Sequence, residues 1–143
     1  GYRLPTEAEG EYACRAGTTT RFWNGNQDQD LISAGWHSGN AANRTHAASE
    51  SKANPFGLSD LHGNVWEWVQ DGWDPAFYSQ FQNNVSIDPS SPFLGNQNPR
   101  PIRGGDWHSA PFECRSAQRL KTPPNFQRDN MGFRVVLVAD AVK

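Results

Sequence analysis

Two acidic side chains flank a turn-prone stretch in GLSDLHGNVWEWVQDGW, residues 57–73. Asp60 and Glu67 lie on either side of His62-Gly63-Asn64, whose residue types favour a turn with carbonyl groups pointing inward. Calcium takes about six to eight hard oxygens and mixes carboxylates with carbonyls from a turning backbone. This pattern therefore predicts a calcium site.

An alternative assignment for the same carboxylates needs no metal ion. Glu67 would pair with an arginine such as Arg103 or Arg134, and Asp60 would cap the turn. The sequence by itself leaves both assignments open.

The tryptophans of this stretch alternate with other residues in the manner of a strand. Val65, Glu67 and Val69 fall on one face, and Trp66 and Trp68 fall on the other. The alternation favours packing beneath neighbouring loops over an exposed sugar-binding platform.

The two cysteines, Cys14 and Cys114, are a hundred positions apart and have no CxxC spacing, which disfavours a cysteine-based metal site. A long-range disulfide and two buried thiols both remain open. A bridge closing so large a loop would contribute on the order of 4 kcal/mol through chain entropy. It would also indicate an oxidising, extracytoplasmic compartment.

The 143 residues correspond to about one domain. Charged residues make up 20% of the chain, aliphatic side chains are sparse, and Gly, Pro, Asn and Ser are abundant. The formal charge of −2 offers no basic footprint for nucleic acid, and no apolar run approaches the roughly 20 residues that span a bilayer. We expect a loop-rich fold with an aromatic core, without nucleic-acid binding or membrane insertion.

Local signals define few regular elements. Thr6 and Glu9 have the spacing of a capping box, which predicts a short helix from Glu7 to Arg15, ended by Gly17. The stretches PIRGGDWHS, ECRSAQRL and GFRVVLVA predict three antiparallel strands. Residues 18–53 and 75–101 have no such pattern, and we expect ordered loops there.

Five strings occur in one order over nearly the whole chain: RLPTEAEGEYACRAGT, NPFGLSDLHGNVWEW, RGGDW, RSAQR and MGFRVV. Together they resemble the formylglycine-generating enzyme (sulfatase-modifying factor) family. The resemblance implies an α+β, irregular and loop-rich C-type-lectin-like fold, with a short helix and a small antiparallel sheet, formed by residues 1–143 as a single domain. In this family RLPTEAE lies in mid-domain, so we expect either a C-terminal piece of a larger domain or a version completed by a partner chain.

Enzymes of this family oxidise a substrate cysteine with copper held by a pair of cysteines that follow RGGS-type residues. Here Ser109 stands where the first cysteine would be, no second cysteine follows at the short spacing, and Cys114 alone cannot replace the pair. Gly10 and Asp106 also depart from the family's Trp and Ser. These departures argue against the copper reaction.

Other relatives bind iron through histidines supplied mostly by a separate helical domain. The four histidines of this chain have no HxxxH or HxH spacing, and we expect solvent-facing or hydrogen-bonding roles for them: His37, His46, His62 and His108.

The resemblance also assigns structural residues. It implies one structural calcium ion, held by the side chains of Asp60 and Glu67 and by the backbone carbonyls of Gly63 and Val65. It further implies a disulfide between Cys14 and Cys114, which would join the first helix to the chain after RGGDW.

The function favoured by these observations is a non-catalytic module that binds a protein or glycan ligand through the loops 107–118 and 122–130. One alternative is an enzyme or enzyme subunit of the family, completed by a partner chain, and a second is a structural subunit of a larger assembly. The candidate ligand-binding residues are Trp107, His108, Ser109, Phe112, Asn125 and Arg128.

Overall fold

A computed structural model describes residues 1–138 of the chain. The first helix, α1, spans Glu7–Arg15 and begins with the predicted capping box. The Thr6 hydroxyl accepts from the Glu9 amide (3.2 Å), and the Glu9 carboxylate accepts from the Thr6 amide (2.7 Å). The helix ends at Ala16, which adopts the left-handed conformation. The predicted bounds and capping box are therefore confirmed, whereas the residue that ends the helix is Ala16 and not the predicted Gly17.

A second helix, α2, spans Asp28–Ala34 inside the stretch expected to be loop. The carboxylate of Asp30 accepts from the Gln27 amide (2.8 Å), and Leu31 and Ala34 are buried. The expectation of loop was wrong here because a seven-residue helix with only two large apolar side chains carries too little periodicity to be recognised.

A four-stranded sheet, ordered β6-β5-β4-β7, lies at the centre of the molecule. Strand β5 pairs antiparallel with both β4 and β6, whereas β7 runs parallel to β4. The prediction of three antiparallel strands was thus right for PIRGGDWHS, which contains most of β5. It was wrong for most of ECRSAQRL, which is 3-10 helix and turn and overlaps β6 only at Leu120. The third stretch contains most of β7, which runs parallel to β4 and lies far from its sequence neighbour β6. The strands are β4 (Trp66–Trp68), β5 (Arg100–Arg103), β6 (Leu120–Thr122) and β7 (Met131–Phe133).

Two short ladders and two 3-10 helices complete the described fold. The ladders join the ends of the chain and fasten the loop region to the segment before β4. The antiparallel ladder is β1 (Tyr2–Arg3) with β8 (Val136–Leu137), the parallel ladder is β2 (Gly35–Trp36) with β3 (His62–Gly63), and the 3-10 helices are Phe77–Phe81 and Pro111–Cys114. No helix within residues 1–138 is both long and apolar enough to cross a membrane.

The core is small and only partly apolar. Phe22, Leu31 and Cys114 form its apolar centre and are shielded from solvent. His62 and Asp71 are buried as completely as these three residues. Because a buried polar group is costly unless it is hydrogen-bonded, hydrogen bonds must contribute much of the order in this fold.

One carboxylate connects the helix to the sheet. Glu7 is 2% exposed and accepts from Nη1 of Arg103 (3.1 Å) and from both Nε (2.7 Å) and Nη2 (2.9 Å) of Arg119. Its backbone amide donates to Asp71 (2.7 Å), which also accepts from the amide of Ser91 (2.8 Å). Burial raises the pKa of Asp71. These contacts join α1, β5, the segment before β6 and the long loop at residue 91.

We expect Glu7→Gln to lower the free energy of unfolding by about 3 kcal/mol, because two arginines would lose the charge that compensates them inside the protein. Urea denaturation measures this loss. Glu50→Gln is the matched control: the Glu50 side chain is half exposed and lies 3.4 Å from Nδ1 of His46, so we expect a change of less than about 0.5 kcal/mol. Equal losses for the two variants would contradict the central role of Glu7.

Candidate functional site

The loop that follows β5 begins with two glycines in the left-handed region, Gly104 (φ 99°) and Gly105 (φ 78°). A Cβ atom on Gly105 would lie 2.6 Å from Sγ of Cys114, so only glycine fits there. The pair turns the chain sharply and delivers Asp106 into the interior.

Asp106 holds two loops together. It is 4% exposed and accepts from the His108 amide (2.9 Å), the Ser109 hydroxyl (2.8 Å) and Nδ2 of Asn130 (2.6 Å). Its own amide donates to the Ser109 hydroxyl (3.1 Å). The loop after β5 is therefore tied to the loop that precedes β7. In the sequence, Asp106 stood out only as a departure from the family's Ser. The sole local sign of a role for Asn130 is its position directly before MGFRVV.

The six candidate ligand-binding residues divide by exposure. His108, Phe112, Asn125 and Arg128 are exposed, and Trp107 is half-buried. Ser109, in contrast, is 6% exposed, and its hydroxyl is committed to Asp106, so the structure does not present it to a ligand.

The predicted disulfide is not present, because Cys14 and Cys114 are both free and buried. The imidazole of His62 contacts both cysteine residues. Its Nε2 lies 3.6 Å from Sγ of Cys14, and its Nδ1 lies 2.7 Å from the carbonyl oxygen of Cys114. Burial raises the pKa of Cys14 to about 11 and that of Cys114 to about 12. An oxidising compartment was inferred only on the condition that this disulfide forms, so the free cysteines give it no support.

His62 is a neutral, fully buried residue. Its Nε2 accepts from the Trp23 amide (3.1 Å), so the proton is on Nδ1, which donates to the carbonyl of Cys114. Burial lowers the pKa of His62 to about 4. Through these two hydrogen bonds the ring connects β3 to the loop at Trp23 and to the second 3-10 helix.

The predicted calcium ligands lie along one segment that includes β3 and the start of β4, but their carboxylates already have protein partners. Glu67 receives two hydrogen bonds from Arg134, which is one of the two arginines that the sequence offered. Asp60 accepts from the Ser49 amide and the Ser51 hydroxyl, each at 2.6 Å.

The backbone carbonyls of Gly63 and Val65 are the other two predicted calcium ligands. The carbonyl of Gly63 accepts from the amide of Val65 (3.0 Å). Among residues 1–138, no three His, Cys, Asp or Glu side chains are grouped so that they could hold a metal ion. Calcium binding by Asp60, Gly63, Val65 and Glu67 stays a prediction.

Comparisons with known proteins give a consistent result. The model of the sulfatase-modifying factor enzyme 1-like domain matches residues 1–139. The chain is 35% identical over 134 residues to the serine/threonine-protein kinase pkn1 of Chlamydia caviae, covering 94% of this chain and 21% of the kinase. It is 31% identical over 160 residues to the formylglycine-generating enzyme of Streptomyces coelicolor, covering 98% of this chain and 48% of the enzyme.

A solved structure extends the likeness to three dimensions. Treponema denticola variable protein 1 superposes with a TM-score of 0.84 at 32% identity, covering 94% of this chain and 47% of that protein. The chain thus spans about half the length of this protein and of the Streptomyces enzyme, and about a fifth of the kinase.

We expect His62 to make the protein sensitive to acid. Because its pKa is lowered on folding, the folded state is favoured above pH 6.5, and this contribution is lost as the pH falls from 6.5 to about 4. The loss should reach about 3 kcal/mol. Urea denaturation at several pH values should show a steeper decline for the wild type than for His62→Gln. His108→Gln, at an exposed histidine, should follow the wild type; parallel curves for all three proteins would contradict the assignment.

Proposed function

The chain belongs to the sulfatase-modifying factor enzyme 1-like domain family, and we propose that it serves there as a non-catalytic module that binds a protein or glycan ligand. Its fold is the loop-rich α+β, C-type-lectin-like fold that the sequence resemblance implied.

The observation that carries the proposal is the environment of Ser109. This residue stands where the resemblance places the first copper cysteine, and its hydroxyl is buried in a hydrogen bond to Asp106. The only two thiols of the chain have raised pKa values, because Cys14 and Cys114 are buried. Copper(I) is selected by thiolates, so this arrangement supports binding in preference to copper-dependent oxidation.

The geometry of the loops supports recognition. Asp106 fixes the loop after β5 to Asn130, and β7 continues from there into the central sheet. Side chains on such tethered loops lose little conformational freedom when a ligand binds, which favours affinity. The exposed apolar ring of Phe112 and the exposed charge of Arg128 are of the types that dominate binding energy in protein interfaces.

We expect binding on a glycan or protein array to weaken at least about tenfold for Phe112→Ala and for Arg128→Ala, because each truncation removes a central contact. Titration of the strongest array ligand against each variant measures the change. The matched control is Phe56→Ala, since Phe56 is also exposed (47%) but lies beside Tyr12 of α1, with 5.5 Å between the ring centroids. Binding that ignores both loop variants, or an absence of binding on either array, would contradict the proposal.

The enzyme alternative predicts different metal chemistry. We expect the wild type to take up no stoichiometric copper(I) in competition with a chelator, because both thiols stay protonated at neutral pH. The Cys14→Ser, Cys114→Ser double variant should behave identically. One equivalent of tightly held copper that disappears in the double variant would instead favour an enzyme or enzyme subunit of the family.

A structural subunit is the second candidate, and a specific surface favours it. Apolar side chains are exposed on the paired strands β1 and β8 and on the chain that leads from the end of β7 into β8: Tyr2 (74%), Leu137 (65%), Phe133 (67%) and Val135 (51%). The ladder places Tyr2 opposite Leu137, and exposed apolar surface of this kind often marks an interface. An isolated chain that stays folded only with a partner would favour this candidate over the first.

A further inference from the structure

A cavity of about 350 Å³ is lined by residues of the four-stranded sheet and of the segments beside it: Leu4, Trp68, Arg100, Pro124 and Phe133. Phe133 is the register partner of Trp68 in the parallel pair of β4 and β7. Arg100 lies two residues before Ile102, which is the register partner of Trp68 in the antiparallel pair of β4 and β5. Because side chains alternate along a strand, Arg100, Trp68 and Phe133 share one face of the sheet.

Arg100 is the one charged residue of this lining, and its guanidinium has no carboxylate partner among residues 1–138. Its Nη2 donates to the carbonyl oxygens of Val69 (3.0 Å) and Gln70 (2.9 Å). Its Nε is buried and donates to none of the described residues. Arg119 and Arg134, which are also partly buried, each pair with a glutamate. The positive charge of Arg100 therefore lacks the compensation that those two arginines have.

Burial adds to this imbalance. It lowers the pKa of Arg100, and the charge of Asp71 opposes that shift only in part. The carboxylate of Asp71 accepts from the amides of Glu7 and Ser91 and is engaged there. The ring of Phe93 covers one face of the Arg100 guanidinium, with 4.6 Å between the guanidinium carbon and the ring centroid. A further acceptor would approach in the plane of the guanidinium, where its N–H groups point.

We propose that this cavity binds a small aromatic carboxylic acid, with the ring against Trp68 and Phe133 and the carboxylate accepting hydrogen bonds from Arg100. Small-molecule pockets occupy about 300–1,000 Å³ and combine an apolar, aromatic lining with a few polar groups that fix the orientation of the ligand. This cavity has that size and that composition. The ligand's negative charge would compensate the guanidinium. None of the six candidate ligand-binding residues lines the cavity, so the inference is independent of the proposed function.

NMR titration of the 143-residue chain with indole-3-acetate tests this site. We expect a dissociation constant of about 0.1–1 mM, which suits a ligand of this size. Indole-3-acetamide has the same ring but no charge, and it should bind at least about tenfold more weakly because it forms no charge-assisted hydrogen bond. The signals of Trp68 and Phe133 should shift most, since their rings are expected to contact the indole.

Arg100→Gln should weaken binding of the acetate at least about tenfold and leave binding of the amide unchanged. Arg44→Gln, at an exposed arginine, is the matched control and should bind the acetate like the wild type. Equal affinities for acetate and amide, an unchanged affinity in Arg100→Gln, or no binding of the acetate up to about 10 mM would each overturn the proposal.

A second variant keeps the test decisive if Arg100→Gln does not fold, since that change removes the donor to two backbone carbonyls. Phe133→Ala alters a ring that is 67% exposed, so we expect the fold to persist. Affinity for the acetate and for the amide should both fall at least about threefold, because the indole loses an aromatic contact. Wild-type affinity of Phe133→Ala for both compounds would contradict the assignment.

Discussion

A buried carboxylate compensated by two guanidiniums is the interaction on which the rest of this structure depends. Glu7 receives three hydrogen bonds from Arg103 and Arg119, and its amide is held by Asp71. The apolar centre is too small to orient the helix against the sheet by packing alone. Because an uncompensated buried charge is costly, the partners of Glu7 have a defined position, and the strands and loops that carry them are placed with it.

The same physical solution recurs at the two sites that resemble functional positions of the family. Asp106 accepts three hydrogen bonds and fastens the loop after β5 to Asn130, and Arg134 closes the loop at Glu67. In both places internal hydrogen bonds to a charged group order the backbone. A fold rich in loops and poor in aliphatic side chains can be ordered in this way because each charged group binds several backbone segments at once.

Two of these features bear on function: the ordering of the loops by hydrogen bonds, and the protonated state of the two thiols. Ser109 and the two protonated cysteines lack the chemistry of a thiolate pair, whereas Phe112 on the second 3-10 helix and Arg128 in the loop before β7 are exposed. The chain is similar to about a fifth of a kinase and to about half of a formylglycine-generating enzyme and of a variable protein. A shared fold does not by itself set the function of a chain. The site residues therefore carry the argument for recognition.

Local signals in the sequence determined the helix α1, the turn at residues 60–64, the strand character of the WEW segment and, through five ordered strings, the family. These depend on neighbours within a few residues, which the sequence displays directly. Only the tertiary structure decided that β7 is parallel to β4, that the imidazole of His62 contacts both cysteine residues, and that Glu67 pairs with Arg134 and not with Arg103. Each of these depends on which distant segments lie together in space. From the sequence, the spacing of the cysteines and the positions of the charged residues allowed several pairings. The packing of distant segments and the need to compensate buried charge decided which of these pairings form.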